Sequence, residues 1–471
     1  MDKQEKKTIP LGIALIPVLF LILSLSTAII ILKQSPHIPL ILSTGVAAII
    51  AGFYGYRWSE IREGMVHGIT LAMGAILILM IVGTMIGTWI LGGIVPSMIY
   101  YGLQVLSPSI FLVATMIICS IVSLGTGSSW STAGTVGVAL IGVGQGLGIP
   151  VAMVAGAIIS GAYFGDKMSP LSDTTNLAPA VAGTDIFSHI RHMVYTVTPG
   201  YILALGIYAL LGTKFGGGQL ESGNIELILK TLTQQFNLHW LLLLPPVLVI
   251  LMVIKKVPPL PALLGGTILG GIFAWLGQGS SLRQVVEAAY AGFTSQSGVP
   301  LVDDLLSRGG LLSMMETVAL IICALSFGGV MERTRMLEVL AGALLKRVRR
   351  VGSLVAVTIF SCIGMNAIAS DQYMAIVIPG RMYKPAFDKM GLHPKNLSRC
   401  LEDSGTLTSP LIPWNSCGAF MHATLGVNPL VYLPYAFLNL MNPVVSIFYG
   451  YTGITMEKVK PKVEPEEAAE V

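Results

Sequence analysis

Charge is what this 471-residue chain has least of. Asp, Glu, Lys and Arg make up 11% of it and hydrophobic residues 54%, against ~25% charged in soluble domains. A soluble protein of this length needs far more polar surface, so the lipid bilayer must be the solvent for most of the chain. Cysteine is also sparse: Cys119, Cys323, Cys362, Cys400 and Cys417 are scattered, mostly through apolar stretches, with no CxxC or metal-ligand spacing. Neither a disulfide framework nor a zinc site is supported by that pattern, and the cysteines read as small buried hydrophobes. No GxxxxGK[ST] loop occurs, so nucleotide-driven work has no support. The apolar run 8–32 is too long for a signal-peptide core and carries no small-residue cleavage pattern, so it should remain as a first span. The formal net charge of +4 is modest; no nucleic-acid partner or cofactor is expected, and nothing marks an enzyme.

What is present is a repeat. Gly165-Asp166-Lys167-Met168-Ser169-Pro170-Leu171 returns as Gly405-Thr406-Leu407-Thr408-Ser409-Pro410-Leu411, 240 positions on (405 − 165). Glu63, Gly68 and Thr70 match Glu287, Gly292 and Thr294 at 224 (287 − 63), an insertion of about sixteen residues near 295–310 makes up the difference, and Gly125 matches Gly364 at 239 (364 − 125). Polar, broken segments at matching places in two halves of a membrane chain are the best sequence pointer to a transport site.

Spans of roughly 20 apolar residues are expected at about 8–32, 37–54, 69–93, 194–213, 238–254, 259–278, 311–331 and 430–452. The regions 108–182 and 351–427 are hydrophobic but cut by Gly, Pro, Ser, Thr and Asp, and continuous helices are not forced on them. Basic residues orient the array. Lys3, Lys6 and Lys7 put the N-terminus in the cytoplasm; Arg57, Arg62, Arg191 with His189 and His192, Lys255, Lys256 and the cluster Lys346 to Arg350 follow on the same side. The nearly uncharged turn 94–107 and segments 214–237 and 279–310 fall outside, and the tail (Lys458, Lys460, Lys462) inside. Glu63 and Glu287 then lie on opposite faces, as do 94–107 and 332–350, which is what an inverted-topology repeat requires. The expected division is N-terminal spans 1–62, repeat one 63–185, connecting spans 186–286, repeat two 287–427, a last span 428–455 and a disordered acidic tail 456–471.

Four polar segments fall at membrane depth: 125–132, 166–176, 366–371 and 402–416. Irregular backbone there is tolerated only when buried in protein or lining a wet cavity, so re-entrant or broken elements meeting near the midplane are expected. Such a site suits a small hard cation, which takes carboxylate, hydroxyl, amide and backbone oxygens. Asp173, Asp371 and Asp403 lead the candidates, with Asp173 and Asp371 as the principal Na+ ligands. Ser128, Ser129, Thr132, Thr174, Asn176, Asn366, Ser370, Thr406, Ser409 and Asn415 follow. The alternative for the hydroxyls is that they satisfy backbone groups freed at the breaks, and for each Asp that it is a structural cap or ion pair. An isolated carboxylate at membrane depth costs roughly 2.5–3.5 kcal/mol on insertion scales, so it persists by pairing, by binding a cation or by holding a proton. One carboxylate can therefore exchange a proton for sodium.

Asp166 beside Lys167 reads as a charge-compensating structural pair; alternatively Lys167 occupies the site charge once the cation has left. The eight glycines between 125 and 148 suit close helix packing as well as binding. Glu63 and Glu287 read as interfacial, and Glu316 stays unassigned. His67, His239 and His422 read as packed or interfacial groups, with proton relay the alternative. Trp130 and Trp414 either shape the cavity or fill a crossing gap.

The run Gly165 to Asn176 and the stretch Ser128-Ser129-Trp130-Ser131-Thr132 closely resemble motifs of the NhaC family of sodium/proton antiporters, in the ion-transporter superfamily. The likeness extends through Pro199 and returns from Asn366 to Gly418, so it covers most of the chain. The resemblance implies an all-α membrane protein with inverted-topology repeats, re-entrant hairpins and broken transmembrane helices, a transport domain, and a scaffold that forms a homodimer in some readings. It implies a multi-pass protein of the cytoplasmic membrane exchanging Na+ for H+. Some relatives resemble malate/lactate exchangers, so an organic-acid cargo is the alternative; its anion would want Lys167 or Arg381.

Overall fold

A computed structural model describes residues 8–215, 222–346 and 348–459. Lys3, Lys6, Lys7, Arg347, Lys460, Lys462 and the rest of the acidic tail lie outside the described residues, as does part of the 214–237 segment. Among the described residues there is no strand, only two isolated bridges, Phe293 with Arg308 and Leu392 with Lys458. The chain is an all-α, multi-pass membrane protein. Among the described residues, seven helices are long and apolar enough to cross a bilayer: Leu11–Ile31, Met73–Leu91, Pro108–Thr126, Ile186–Thr213, Pro259–Gly277, Leu311–Arg333 and Val351–Ile368. Two bent pairs, Ile225–Gln235 with Trp240–Ile254 (101°) and Pro429–Tyr435 with Phe437–Thr452 (62°), raise that to nine. Leu23, Ile30, Ile31, Ile202, Leu210 and Leu276 are exposed, as lipid-facing side chains must be.

In chain order the helices are α1 (Leu11–Ser26), α2 (His37–Phe53), α3 (Trp58–Leu71), α4 (Met73–Leu91), α5 (Ile94–Val105), α6 (Pro108–Thr126), α7 (Ser129–Thr132), α8 (Val138–Gly146), α9 (Val151–Met168) and α10 (Asp173–Ala182). The middle of the chain forms α11 (Ile186–Thr213), α12 (Ser222–Gln235), α13 (Leu244–Ile254), α14 (Pro259–Gly277), α15 (Leu282–Ala291) and α16 (Pro300–Leu306). The rest forms α17 (Leu311–Arg333), α18 (Met336–Leu345), α19 (Val351–Ile368), α20 (Gln372–Lys389), α21 (Pro394–Leu401), α22 (Ser416–Leu425), α23 (Pro429–Tyr432) and α24 (Phe437–Thr452).

Three sequence expectations need correcting here. The regions on which no continuous helix was forced, 108–182 and 351–427, contain the unbroken helices α6, α9, α19 and α20, in which Gly156, Gly161, Gly165, Gly352 and Gly380 sit at close contacts with neighbouring segments and not at breaks. A Cβ on Gly161 would lie 2.3 Å from the Met116 carbonyl oxygen, and one on Gly165 2.2 Å from the Leu124 nitrogen, so α6 and α9 touch backbone to backbone as small residues allow. The "turn" 94–107 is largely helix α5, with Ile94, Val95 and Ile99 buried. The tail is ordered through Val459: His393 N donates to Glu457 O, Val459 N to Gly391 O, and Lys395 pairs with Glu457.

Two stretches run through the same succession: a span, a short helix, a second span, a break, a helix, another helix, a second break, a last helix. Four successive helix starts correspond at a constant 243 positions (351 − 108, 372 − 129, 394 − 151, 416 − 173). The first break in each stretch is a left-handed residue, Gly127 (φ 67°) or Ser370 (φ 59°). It is followed by an N-cap whose side chain accepts a backbone N–H: Ser128 from Ser131 N at 3.2 Å and Asp371 from Met374 N at 3.0 Å. Such caps satisfy one of the amides that every helix start leaves open. The heptapeptides fall three positions out of this register, since the helical run through α21 stops sooner and the loop to Asn415 is longer. Gly125 and Gly364 do not occupy equivalent places in it.

Candidate functional site

The four breaks meet. A cavity of about 580 Å³ is lined by Thr126, Gly127, Ser128 and Trp130 from the first, and by Asp166, Pro170, Leu171, Asp173 and Thr174 from the second. Asp371, Gln372 and Tyr373 come from the third and Ser416 and Cys417 from the fourth. Lys256 through Pro259, between α13 and α14, complete the rim with Leu71 and Ala72. Breaks within each half hold one another. A Cβ on Gly127 would stand 2.7 Å from the Leu171 carbonyl carbon, so this left-handed position also has no room for a side chain. Ser416 N donates to Ser370 O at 3.0 Å.

Three carboxyl groups face the cavity. Asp166 is 8% exposed and accepts from the hydroxyls of Ser129 and Ser172, both at 2.6 Å. Asp371 is 1% exposed and caps α20. Asp173 stands exposed in the first turn of α10, where the Tyr373 hydroxyl donates to it at 3.4 Å. The Tyr373 phenol feels all three carboxyls. Helices α7, α10, α20 and α22 all begin at this cavity, so the positive ends of the helices face the acidic groups. With hydroxyls and carboxyl groups converging on one open cavity, the arrangement offers oxygens of the kind that a small cation takes.

The placements differ from expectation in several ways. Asp166, read as neutralised by its neighbour, is held by two serines instead. Lys167 points away and pairs with Asp403 in a fully buried contact. Thr196 (3.0 Å) and Asn442 (3.2 Å) also donate to Asp403. Consecutive helical residues face different directions, which the two letters side by side conceal. Asp403 is therefore committed away from the cavity, and Asp173 lies at its mouth and not at its deepest point.

Of the expected hydroxyl and amide ligands, Ser128 and Thr174 line the cavity. Ser129 reaches it through Asp166. Thr132 donates to Ser128 O, and Asn176 latches Pro170 O and Ser172 O. Asn366 ties Gly405 O and the Thr408 hydroxyl, and Asn415 ties Asn366. Ser409 donates to Thr406 O. The Ser370 and Thr406 hydroxyls are buried without partners.

Trp130 stacks on Phe420 with centroids 4.0 Å apart, and Trp414 donates to Ala367 O at 2.7 Å. Glu63 pairs with Arg333 at the surface. His67, His239 and His422 are exposed, whereas His189 and His192, placed with Arg191 on the cytoplasmic side by the charge bias, are buried in α11 against Ser398 and Asn396.

Residues missed by the sequence reading are Gln372, Tyr373 and Cys417, whose thiol donates to Gln372 at 2.7 Å, and above all Glu402, wholly buried. Its place inside the fourth polar segment was the one available signal. Neither Lys167 nor Arg381 lines the cavity: the first is paired and the second exposed.

Residues 161–454 match the profile of the Na+/H+ antiporter family. Over 456 residues the chain is 39% identical to the Na+/H+ antiporter NhaC of Alkalihalophilus pseudofirmus, covering 97% of this chain and 98% of that one. It is 39% identical to the malate-2H+/Na+-lactate antiporter of Bacillus subtilis, covering 88% and 89%. The arginine/ornithine antiporter ArcD of Halobacterium salinarum is 38% identical, with 100% and 97% covered.

Proposed function

We propose, because this chain belongs to the Na+/H+ antiporter family, that it exchanges Na+ for H+ across the cytoplasmic membrane at the cavity formed by the four breaks. The observation that carries this is the convergence of Asp166, Asp173 and Asp371, from both corresponding stretches, on one space. Asp166 and Asp371 are the buried pair that a cation or protons must neutralise; Asp173 gathers cations at the mouth. Ser128, Thr174 and backbone oxygens at the breaks complete the cation's shell.

The rim residue Lys256 belongs to a loop that the charge bias places in the cytoplasm, so the cavity in this state opens inward. Both termini then face the cytoplasm, and the two stretches run in opposite orientations, as alternating access around a fixed site needs. A homodimer through the scaffold fits this architecture.

The test uses purified protein in proteoliposomes with an entrapped pH dye. Asp166→Asn and Asp371→Asn are each close to isosteric and remove the exchangeable charge. Sodium-driven proton movement should fall at least tenfold in each, with folding unchanged; full rates in both refute the site.

A second reading, sodium-coupled exchange of a small organic acid, is favoured by the cavity's size. It lies within the ~300–1,000 Å³ typical of small-molecule sites, and four helix N-termini face it, an arrangement that suits a carboxylate. External malate or lactate accelerating sodium movement supports this reading; indifference to both removes it.

A further inference from the structure

The segment 292–310, which the charge bias places outside, lies on the side of the bundle opposite the cavity's rim. Its backbone is fixed to α4 and to the end of α15. Gly310 N donates to Gly83 O at 2.7 Å. A Cβ on Gly309 would stand 2.5 Å from Gly87 N, and one on Gly292 2.4 Å from Gly309 O. Phe293 N donates to Arg308 O at 3.1 Å. Asp303 closes the same loop, accepting from the Ser295 hydroxyl at 2.7 Å and from Ser297 N at 2.6 Å. Arg308 is thus projected from a rigid base.

Its side chain leaves that base and crosses to two other helices. The partly buried guanidinium donates to the Gln145 side-chain oxygen at 3.2 Å. It also lies beside Gly426, where a Cβ would stand 3.8 Å from Nη1. Gln145 is in the last turn of α8, and Gly426 (φ 73°) caps α22. Both lines of helix begin at the cavity. Ser129 opens α7, which runs through a π-helical turn (Ala133–Gly137) into α8, and Ser416 opens α22. Gln145 is sixteen residues beyond Ser129 (145 − 129), roughly 24 Å at ~1.5 Å per residue. One cation therefore faces the carbonyl, negative ends of two helices whose amide ends face the site.

Between the cavity and Arg308 the interior is close-packed. Thr424 and Leu425 of α22 are buried, and a Cβ on Gly137 would stand 3.3 Å from Leu425 Cδ2. Helix α8 lies against α5 and α16: a Cβ on Gly142 would stand 2.5 Å from Ile99 Cδ1 and 3.7 Å from Leu305 Cδ2, and one on Gly146 2.9 Å from Leu103 Cδ2. Such apolar contacts hold by area and carry no direction. Among the described residues, the Arg308–Gln145 hydrogen bond is the side-chain polar tie between the 292–310 segment and these two helices.

We propose that Arg308 is the outer latch of the exchange cycle, tying α8 and α22 to the base on α4 while the cavity opens to the cytoplasm. This rests on the antiport reading and deepens it by naming a positioning residue remote from the carboxyl groups. Opening the site outward must part α8 and α22 from α5 and α16. That movement breaks the Gln145 bond and takes the guanidinium from the helix ends. The contacts of Arg308 therefore stabilise only the state closed to the outside, and removing them shifts the population toward the outward-open one.

The experiment reads sidedness, not transport. Thr424→Cys places a reporter in the close-packed layer, and the native Cys417 lines the cavity. Both are labelled with a membrane-impermeant methanethiosulfonate cation in right-side-out and inverted membrane vesicles. Peptide mass spectrometry separates them from Cys119, Cys323, Cys362 and Cys400. Adding Arg308→Gln should raise outer labelling of Thr424→Cys at least fivefold and lower inner labelling of Cys417 at least twofold. Opposite changes on the two faces report a shift between states, whereas loosened packing raises both. Arg308→Lys should restore most of the original ratio, because a cation remains at the helix ends.

Unchanged outer labelling with Arg308→Gln overturns the proposal, as does labelling that rises from both sides. Gln145→Ala removes the partner and leaves the cation, and should move both labels the same way by a smaller factor. If Arg308→Gln fails to fold, Gln145→Ala decides, and unchanged labelling there overturns the proposal. Wild-type vesicles that move no protons against sodium overturn the antiport reading itself, a distinct result.

Discussion

Replacing Lys167 with Met should destabilise the protein substantially. The substitution leaves the Asp403 carboxylate fully buried with only the Thr196 hydroxyl at 3.0 Å and the Asn442 amide at 3.2 Å as donors. Two unit charges ~4 Å apart attract by about 4 kcal/mol at an effective dielectric constant of ~20. Breaking a buried pair by removing one partner costs ~3–5 kcal/mol. The two remaining donors hold the loss near the lower end, about 3 kcal/mol, since hydrogen bonds to charged groups are worth ~1.5–3 kcal/mol each.

Asp403→Asn should be the milder change, because the neighbouring buried Glu402 carboxyl remains within electrostatic reach of Lys167. The double variant Lys167→Met/Asp403→Asn has no orphaned charge and should return to within ~1 kcal/mol of wild type, as buried pairs replaced together often do. The assay is the thermal midpoint of the monodisperse peak in one detergent, for wild type, both single variants and the double variant. A double variant whose loss equals the sum of the single losses means no coupling and refutes the reading of Lys167 and Asp403 as partners.

The remaining expectations are narrower. Gly165→Val should cost more than the ~1–3 kcal/mol usual for over-packing, because its Cβ meets the backbone nitrogen of Leu124 at 2.2 Å and α6 and α9 must separate; a wild-type thermal midpoint refutes this. Thr455→Val removes the hydroxyl that accepts from buried Arg399 at 2.7 Å and should lower stability by ~1.5–3 kcal/mol, read from the same melt. Ser370→Gly relieves a left-handed serine (φ 59°), whose conformation costs ~1–2 kcal/mol in a non-glycine residue. Stability should hold or rise and transport should persist; lost transport in a stable variant makes the hydroxyl a ligand.

Composition alone dictated a membrane protein of many helices, because so few charges cannot cover a soluble surface. The repeated Ser-Pro breaks and the clustered hydroxyls and carboxyls marked where those helices would be interrupted, and Asp166, Asp173 and Asp371 all stand at the cavity those interruptions form. What the letters could not supply was direction. Asp166 and Lys167 are neighbours in sequence, yet the 100° step of a helix turns one toward the cavity and the other toward Asp403, 236 positions away. Glu402 and Asp403 are separated in the same way, one left alone and the other paired. Glycine likewise marked breaks and tight contacts with the same letter, and only the approach of α6 to α9 told them apart. The sequence by itself determined the solvent, the kinds of element and the chemistry on offer, since those follow from composition and local backbone preference. Which carboxyl meets water, which meets lysine and which meets nothing was decided by packing between distant helices, because burial and charge pairing are properties of the assembled interior.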